Sequence, residues 1–217
     1  MNRMQIKICG ITNVIDARIC AELGADMIGL NFYPQSVRYI DPEMARRIVQ
    51  ETPRGVLTVG VFVDVSADEV RKIATTVCLG SVQLHGEISP EVCRELAQEF
   101  RVIRALRTDS HFRPEYVASF RGCDVLLDAE HPELHGGTGR RCDWPAARAA
   151  RAFTRFLILS GGLNTQNVAE AIATVAPHGV DACSGVERAP GLKDHRAIEK
   201  FVAVVRAAET STTNRPA

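Results

Sequence analysis

The sequence predicts a closed (β/α)8 TIM barrel, a parallel sheet ringed by helices, and three observations lead there. Short apolar runs alternate with stretches of helical apolar spacing; there are eight of each at nearly equal intervals; and most of the apolar runs end in glycine or a charged residue. Strands this apolar are covered on both faces, which a parallel sheet under helices provides. An open doubly wound sheet uses the same local pattern, but eight nearly equal units favour closure. The chain has 217 residues, fewer than the roughly 250 typical of such barrels, so its loops must be trim.

The first strand lies within Met4–Gly10 and runs into Gly10-Ile11-Thr12-Asn13, where Thr12 or Asn13 caps a helix. Ile15, Ile19 and Leu23 give that helix an apolar stripe, and Gly24 stops it. Asp26–Phe32 is the second strand, Tyr33–Tyr39 a loop carrying Pro34 and Arg38, and Asp41 caps a helix with Pro42 in its first turn that ends before Pro53. Val56–Val63 is the third strand, and its helix begins at Ser66. Ser81–Leu84 enters His85-Gly86-Glu87, followed by a helix from Ser89-Pro90 to Phe100. Arg101–Leu106 is the fifth strand, with a weaker, less regular helix between Asp109 and Phe120. Asp124–Ala129 is the sixth and delivers Asp128 at its end; the Gly-rich loop His135–Arg141 then precedes a helix opened by Asp143-Trp144-Pro145. Arg155–Leu159 runs into Ser160-Gly161-Gly162-Leu163, and Asn164 caps a helix to Val175. Gly179–Ala182 is the eighth strand, and the last helix spans Asp194 to Ala208. Residues 1–208 are therefore expected to form one barrel, and 209–217 a loose polar tail.

Composition narrows the function classes. Lys plus Arg and Asp plus Glu each total 26, so the net charge is zero and no global field points to nucleic acid or a membrane surface. No apolar run reaches the length of a transmembrane helix. Seven widely spaced cysteines, an odd number without a Cys-x-x-Cys pair, argue against a disulfide framework and for a reducing, cytoplasmic setting. The six histidines show no His-Glu-x-x-His pattern, and neither a Gly-x-Gly-x-x-Gly turn after the first strand nor a phosphate-loop motif occurs. The expected chemistry thus needs no cofactor and no metal. A monomer is favoured over a homodimer, since neighbouring helices account for the apolar residues on the outer ones.

Barrels of this class carry their chemistry at the C-terminal ends of the strands and often bind phosphate after strands seven and eight. Gly161-Gly162 and Ser184-Gly185 occupy those places; glycine there lets successive backbone N–H groups converge on an anion. Cys9 ends strand one and Asp128 ends strand six, so closure brings a thiol base and a carboxyl acid to one mouth. A buried apolar plug is the alternative for Cys9; an unpaired carboxylate at Asp128 has no comparable packing reason. Arg38 is placed to pair with a substrate carboxylate or to lie on an aromatic ring, or is a surface loop arginine. Asp64, His85 and Asp181 are further candidates for the mouth, and Lys7 shares the face of Cys9 by alternation.

The segments Lys7–Thr12, Asn31–Arg38, Gly60–Val63, Val82–Gly86, Leu126–Asp128, Gly136–Gly139, Leu159–Leu163, Ser184–Glu187 and Pro190–Asp194, in this order, resemble the phosphoribosylanthranilate isomerase family of tryptophan biosynthesis. The resemblance implies an Amadori rearrangement of N-(5-phosphoribosyl)anthranilate to 1-(2-carboxyphenylamino)-1-deoxyribulose 5-phosphate. It implies Cys9 as the general base at C2 of the ribose, Asp128 as the general acid at the ring oxygen, Arg38 at the anthranilate, and Gly161, Gly162, Ser184 and Gly185 around the phosphate. Two positions depart from the family pattern: Cys183 stands where serine is common and Cys142 where an aromatic residue is common. The rival readings are a sugar-phosphate epimerase or lyase using Lys7 as a Schiff base, a phosphate-binding barrel without turnover, and an isomerase of wider specificity that also takes the related histidine-pathway substrate.

Overall fold

In the computed structural model, which describes residues 3–129 and 142–213, eight parallel strands close in sequence order. They are β1 (Gln5–Ile8), β2 (Met27–Asn31), β3 (Leu57–Val63), β4 (Ser81–His85), β5 (Arg101–Thr108), β6 (Asp124–Ala129), β7 (Leu157–Leu159) and β8 (Gly179–Ala182). Closure is made by β8 against β1, with Gln5 opposite Gly179, Lys7 opposite Asp181 and Ile8 opposite Ala182. That register decides which strand ends become neighbours at the mouth.

The helices are α1 (Val14–Glu22), α2 (Pro42–Glu51), α3 (Ala67–Val77), α4 (Pro90–Leu96), α5 (Trp144–Ala150), α6 (Val168–Val175) and α7 (His195–Thr213). Their starts follow from side chains that accept an orphan backbone N–H: Asn13 from Asp16, Asp41 from Met44, Ser66 from Glu69, Ser89 from Val92 and Asp143 from Ala146. The irregular segment after β5 is a 3-10 helix, Pro114–Phe120.

Several boundaries differ from the sequence expectation: α4 ends at Leu96 rather than Phe100, β5 runs on to Thr108, and β7 begins only at Leu157. Asn164 does not cap α6; its side chain accepts from Gln166 N in a turn of its own, and the helix starts only at Val168. The chain after β8 is more ordered than a loop: a 3-10 turn at Ser184–Val186 leads into an antiparallel hairpin of β9 (Glu187–Ala189) and β10 (Leu192–Lys193). At the C-terminus, α7 continues to Thr213, beyond the expected end at Ala208. Arg206 fastens it beneath β1 by donating to Met4 O at 2.7 Å and to the Asp26 carboxylate at 3.1 Å. The expected loop His135–Arg141, with Gly136–Gly139, and residues 214–217 of the expected tail lie outside the described residues.

Two apolar layers hold the barrel. One lies between sheet and helices, where Ile6, Ile8, Leu30, Leu84, Leu127, Leu157 and Val180 meet buried residues such as Ala17, Ile48, Ile172 and Phe201. The other fills the barrel itself with Met27, Val59, Ile103, Ala105, Leu126 and Ile158. Alternation along each strand sends one set of residues outward and the next inward. Above the inner plug, the inward positions become polar: Lys7, Asp181, Gln83 and Ser160, and at the rim Cys9, Asp128 and Cys183. Among the described residues, no helix is long and apolar enough to cross a membrane.

Candidate active site

The polar end of the barrel opens into a cleft of about 630 Å³ that includes open solvent. Cys9, Arg38, Asp128, Gly161, Gly162, Ser184 and Gly185, which come from strands one, two, six, seven and eight, all line it. His85 and Asp181 do so as well. Asp64 is the exception among the residues expected at the mouth. It lies at φ 50° after β3, accepts from Glu87 N at 2.7 Å, and faces a separate groove beside His85.

Cys9 is half-buried at the rim, directly above Lys7 on the inward face of β1. Its sulfur and the Lys7 ammonium stand 2.6 Å and 3.1 Å from the point where a β-carbon on Gly29 would sit, so this glycine of β2 leaves the space both groups use. The Cys9 thiol is pushed down to about 6 by a hydrogen bond with Cys183, with burial opposing and the Lys7 charge assisting. The Cys183 thiol moves in the opposite sense, far up, because it is the partner that keeps its proton in that bond and is itself buried. Cations flank both thiols, Lys7 beside Cys9 and Lys193 and Arg38 beside Cys183.

Lys7 is fully buried and paired with Asp181 at 2.9 Å, while Ser160 Oγ donates to the other Asp181 oxygen at 3.1 Å. Burial works against the ammonium, but Asp181 and Cys9 together hold its pKa above the ordinary lysine value. A charged amine sealed in an ion pair beneath the cleft is not a Schiff-base nucleophile, which removes the support for the lysine-dependent epimerase or lyase reading.

Arg38 reaches across from the loop after β2 and forks onto Glu187, with Nε 2.9 Å from Oε1 and Nη2 2.7 Å from Oε2. Glu187 also accepts from the fully buried Lys193 at 2.8 Å and from Gly191 N at 3.3 Å. The arginine is therefore held in place by β9 while its shaft crosses Gly10, with Cδ 2.6 Å from the β-carbon point of that residue. Donating to Glu187 raises the Arg38 pKa further, and Glu187 lies below the usual carboxylate range because Arg38 and Lys193 outweigh its burial. Neither Glu187 nor Lys193 was singled out from sequence; the signal was the Pro-Gly-Leu-Lys segment, which reads as a loop until the hairpin folds it back.

The two glycine turns stand against each other. Gly161 and Gly162 adopt φ values of 89° and 64°, which L side chains rarely take. A β-carbon on Gly185 would lie 2.1 Å from the Leu163 carbonyl oxygen, so contact between the turns requires its absence. Asn167 Nδ2 donates to Gly162 O at 2.9 Å, fixing the first turn from below. Cys142, the other departure from the family pattern, is buried behind the site with its sulfur 3.3 Å from Thr108 Oγ1. Asp128, half-buried, comes from β6, the neighbour of β7; the Leu127 backbone oxygen of β6 accepts from Ser160 N at 2.8 Å. Asp128, Cys9 and the two glycine turns thus share one cleft. Among the described residues, no cluster of three or more His, Cys, Asp or Glu side chains is arranged to hold a metal ion.

The family model described as N-(5'-phosphoribosyl)anthranilate (PRA) isomerase matches residues 6–204. The N-(5'-phosphoribosyl)anthranilate isomerase of Thermotoga maritima is 46% identical over 199 residues, covering 92% of this chain and 97% of its own. A crystal structure of phosphoribosyl anthranilate isomerase from Thermotoga maritima superposes with a TM-score of 0.88 at 45% identity, covering 94% of this chain and 99% of that one. A phosphoribosyl anthranilate isomerase in complex with reduced 1-(o-carboxyphenylamino)-1-deoxyribulose 5-phosphate gives a TM-score of 0.85 at 42% identity, with the same coverage. With the family model spanning nearly the whole barrel, the chain belongs to the N-(5'-phosphoribosyl)anthranilate isomerase family.

Proposed function

We propose that Cys9 and Asp128 are the proton-transfer pair of an Amadori rearrangement that converts N-(5-phosphoribosyl)anthranilate to 1-(2-carboxyphenylamino)-1-deoxyribulose 5-phosphate. One observation carries this reading: the Cys9 sulfur, favoured as thiolate, opens onto the same cleft as Asp128 and the paired glycine turns. The phosphate of the substrate is taken by backbone N–H groups around Gly161, Gly162, Ser184 and Gly185, which fixes the sugar between acid and base. Asp128 gives a proton to the furanose oxygen as the C1–O bond breaks, and the nitrogen lone pair forms a protonated imine. That positive nitrogen acidifies the C2 hydrogen, which the Cys9 thiolate removes. The enolamine then loses its O–H proton and gains one at C1, giving the ketone. Arg38, braced by Glu187, orients the anthranilate carboxylate. The seven widely spaced cysteines and the helix-covered apolar faces support a monomer in a reducing, cytoplasmic setting; sedimentation velocity reads the oligomeric state directly.

The test is the decay of phosphoribosylanthranilate fluorescence with purified protein, beside Cys9→Ser and Asp128→Asn. The expected result is rapid turnover by the parent and a loss of about 10²-fold or more in each variant. A folded parent that binds the phosphorylated product but consumes no substrate would move the assignment to the binding-barrel reading.

A further inference from the structure

We propose that Cys9 and Cys183 form an oxidation site in which a peroxide oxidises the Cys9 sulfur and Cys183 closes a reversible disulfide onto it, switching the enzyme off. The geometry begins with the closing seam of the barrel. Ile8 lies opposite Ala182, and Cys9 N donates to Ala182 O at 2.9 Å, so the next register position sets Cys9 beside Cys183. Neighbouring strands stand about 4.8 Å apart, inside the Cα separation of about 4.4–6.8 Å that a disulfide spans. One layer below, the in-register pair Lys7 and Asp181 meets at 2.9 Å, and alternation turns Cys9 and Cys183 to the same inward side. The Cys183 sulfur lies 3.1 Å from the β-carbon point of Gly10, the residue next to Cys9, and both cysteines line the cleft.

Access separates this pair from the other cysteines. Cys20, Cys93, Cys123 and Cys142 are buried, and Cys78 is exposed but stands alone at the end of α3. Cys93 and Cys123 are also neighbours, yet both lie in the apolar layer between sheet and helices, out of reach of a polar oxidant. They provide an internal control.

The steps balance with a hydroperoxide as the oxidant. The Cys9 thiolate attacks one peroxide oxygen, the O–O bond breaks, hydroxide leaves, and Cys9 becomes a sulfenic acid. The Cys183 sulfur then attacks the Cys9 sulfur; the S–O bond breaks, the S–S bond forms, and the Cys183 proton leaves with the hydroxyl as water. A thiol reductant reverses the second bond. The serine implied at this position by the family pattern has no sulfur to resolve a sulfenic acid, so excess peroxide would carry the base on to the irreversible sulfinic acid. The loss of activity rests on the proposed role of Cys9; the disulfide itself does not.

The reduced full-length protein is treated with hydrogen peroxide, and thiols are mapped by differential alkylation and peptide mass analysis. Isomerase activity is read before treatment, after it, and after dithiothreitol. The expected result is a Cys9–Cys183 linked peptide, free Cys93 and Cys123, and activity that falls by about tenfold or more and returns with dithiothreitol. Cys183→Ser, normalised to its own untreated activity, should lose activity without recovery and carry sulfinic acid at Cys9. The proposal is overturned if the parent yields no linked peptide, if the linked form retains its activity, or if Cys183→Ser recovers as the parent does. A parent that forms the link but shows no isomerase activity when reduced would refute the proposed function and the switch while leaving the oxidation site standing.

Discussion

Replacing Lys7 by Met tests the electrostatic account of the base most directly. The side chain is fully buried, and its ammonium is paired with Asp181, which is 5% exposed. Removing one partner of a buried pair strands the other charge, at a cost of about 3–5 kcal/mol; for a chain of this size that lowers the melting temperature by about 10 °C. The same ammonium lies within about 6 Å of the Cys9 sulfur, by their shared proximity to Gly29; at an effective dielectric near 20 the attraction is about 3 kcal/mol before the opposing Asp181 charge offsets part of it. The sign follows from the charge. The Cys9 pKa is lowered to about 6 with the ammonium beside it, so the acid limb of the parent's kcat/KM profile falls through that value. In Lys7→Met the thiolate loses its counter-ion, its pKa rises, and the acid limb moves to higher pH. Urea unfolding at pH 8 reads the first effect, and a kcat/KM profile from pH 5 to 9 reads the second. The double variant Lys7→Met/Asp181→Leu should regain most of the stability while its acid limb stays above that of the parent. A Lys7→Met protein with parental stability, or with an unmoved acid limb, would refute the reasoning.

Gly185→Ala places a β-carbon 2.1 Å from the Leu163 carbonyl oxygen. The two turns must part, and KM should rise by about tenfold or more, since a displacement near 1 Å costs this much in a positioned site; unfolding of the barrel core, read by circular dichroism, should remain cooperative. Arg38→Ala removes the fork onto Glu187 but leaves Lys193 paired with that carboxylate. KM is expected to rise about tenfold with a smaller change in kcat, because the lost hydrogen bond to a carboxylate is worth about 1.5–3 kcal/mol in binding; steady-state kinetics in which kcat alone falls would contradict an orienting role.

The alternation of eight apolar runs with eight helical stretches, the capping residues and the strand-end positions of Cys9 and Asp128 were all legible in the sequence, because each is decided within a few neighbouring residues. Capping at Asn13, Asp41, Ser66 and Ser89 is a contact three residues long, and periodicity reports which face of a strand or helix is covered. Asn164 misled for the same local reason: an Asn after Gly-Gly-Leu reads as a cap, and only the competing turn and the contact with Gly185 delay the helix to Val168.

The electrostatics of the site were decided by tertiary structure alone. Lys7 and Asp181 are separated by 174 residues and Arg38 and Glu187 by 149, and no local pattern states that either pair meets. Their pairing follows from the register in which β8 closes against β1 and from the hairpin that folds Glu187 back over the mouth. The sequence by itself determined the barrel and which side chains stand at its open end. Closure determined which of them touch, because in a low-dielectric interior a charge takes its state from whichever neighbour the register brings within a few ångströms. That register sets Cys9 beside Cys183 and Lys7, the two neighbours that lower its pKa.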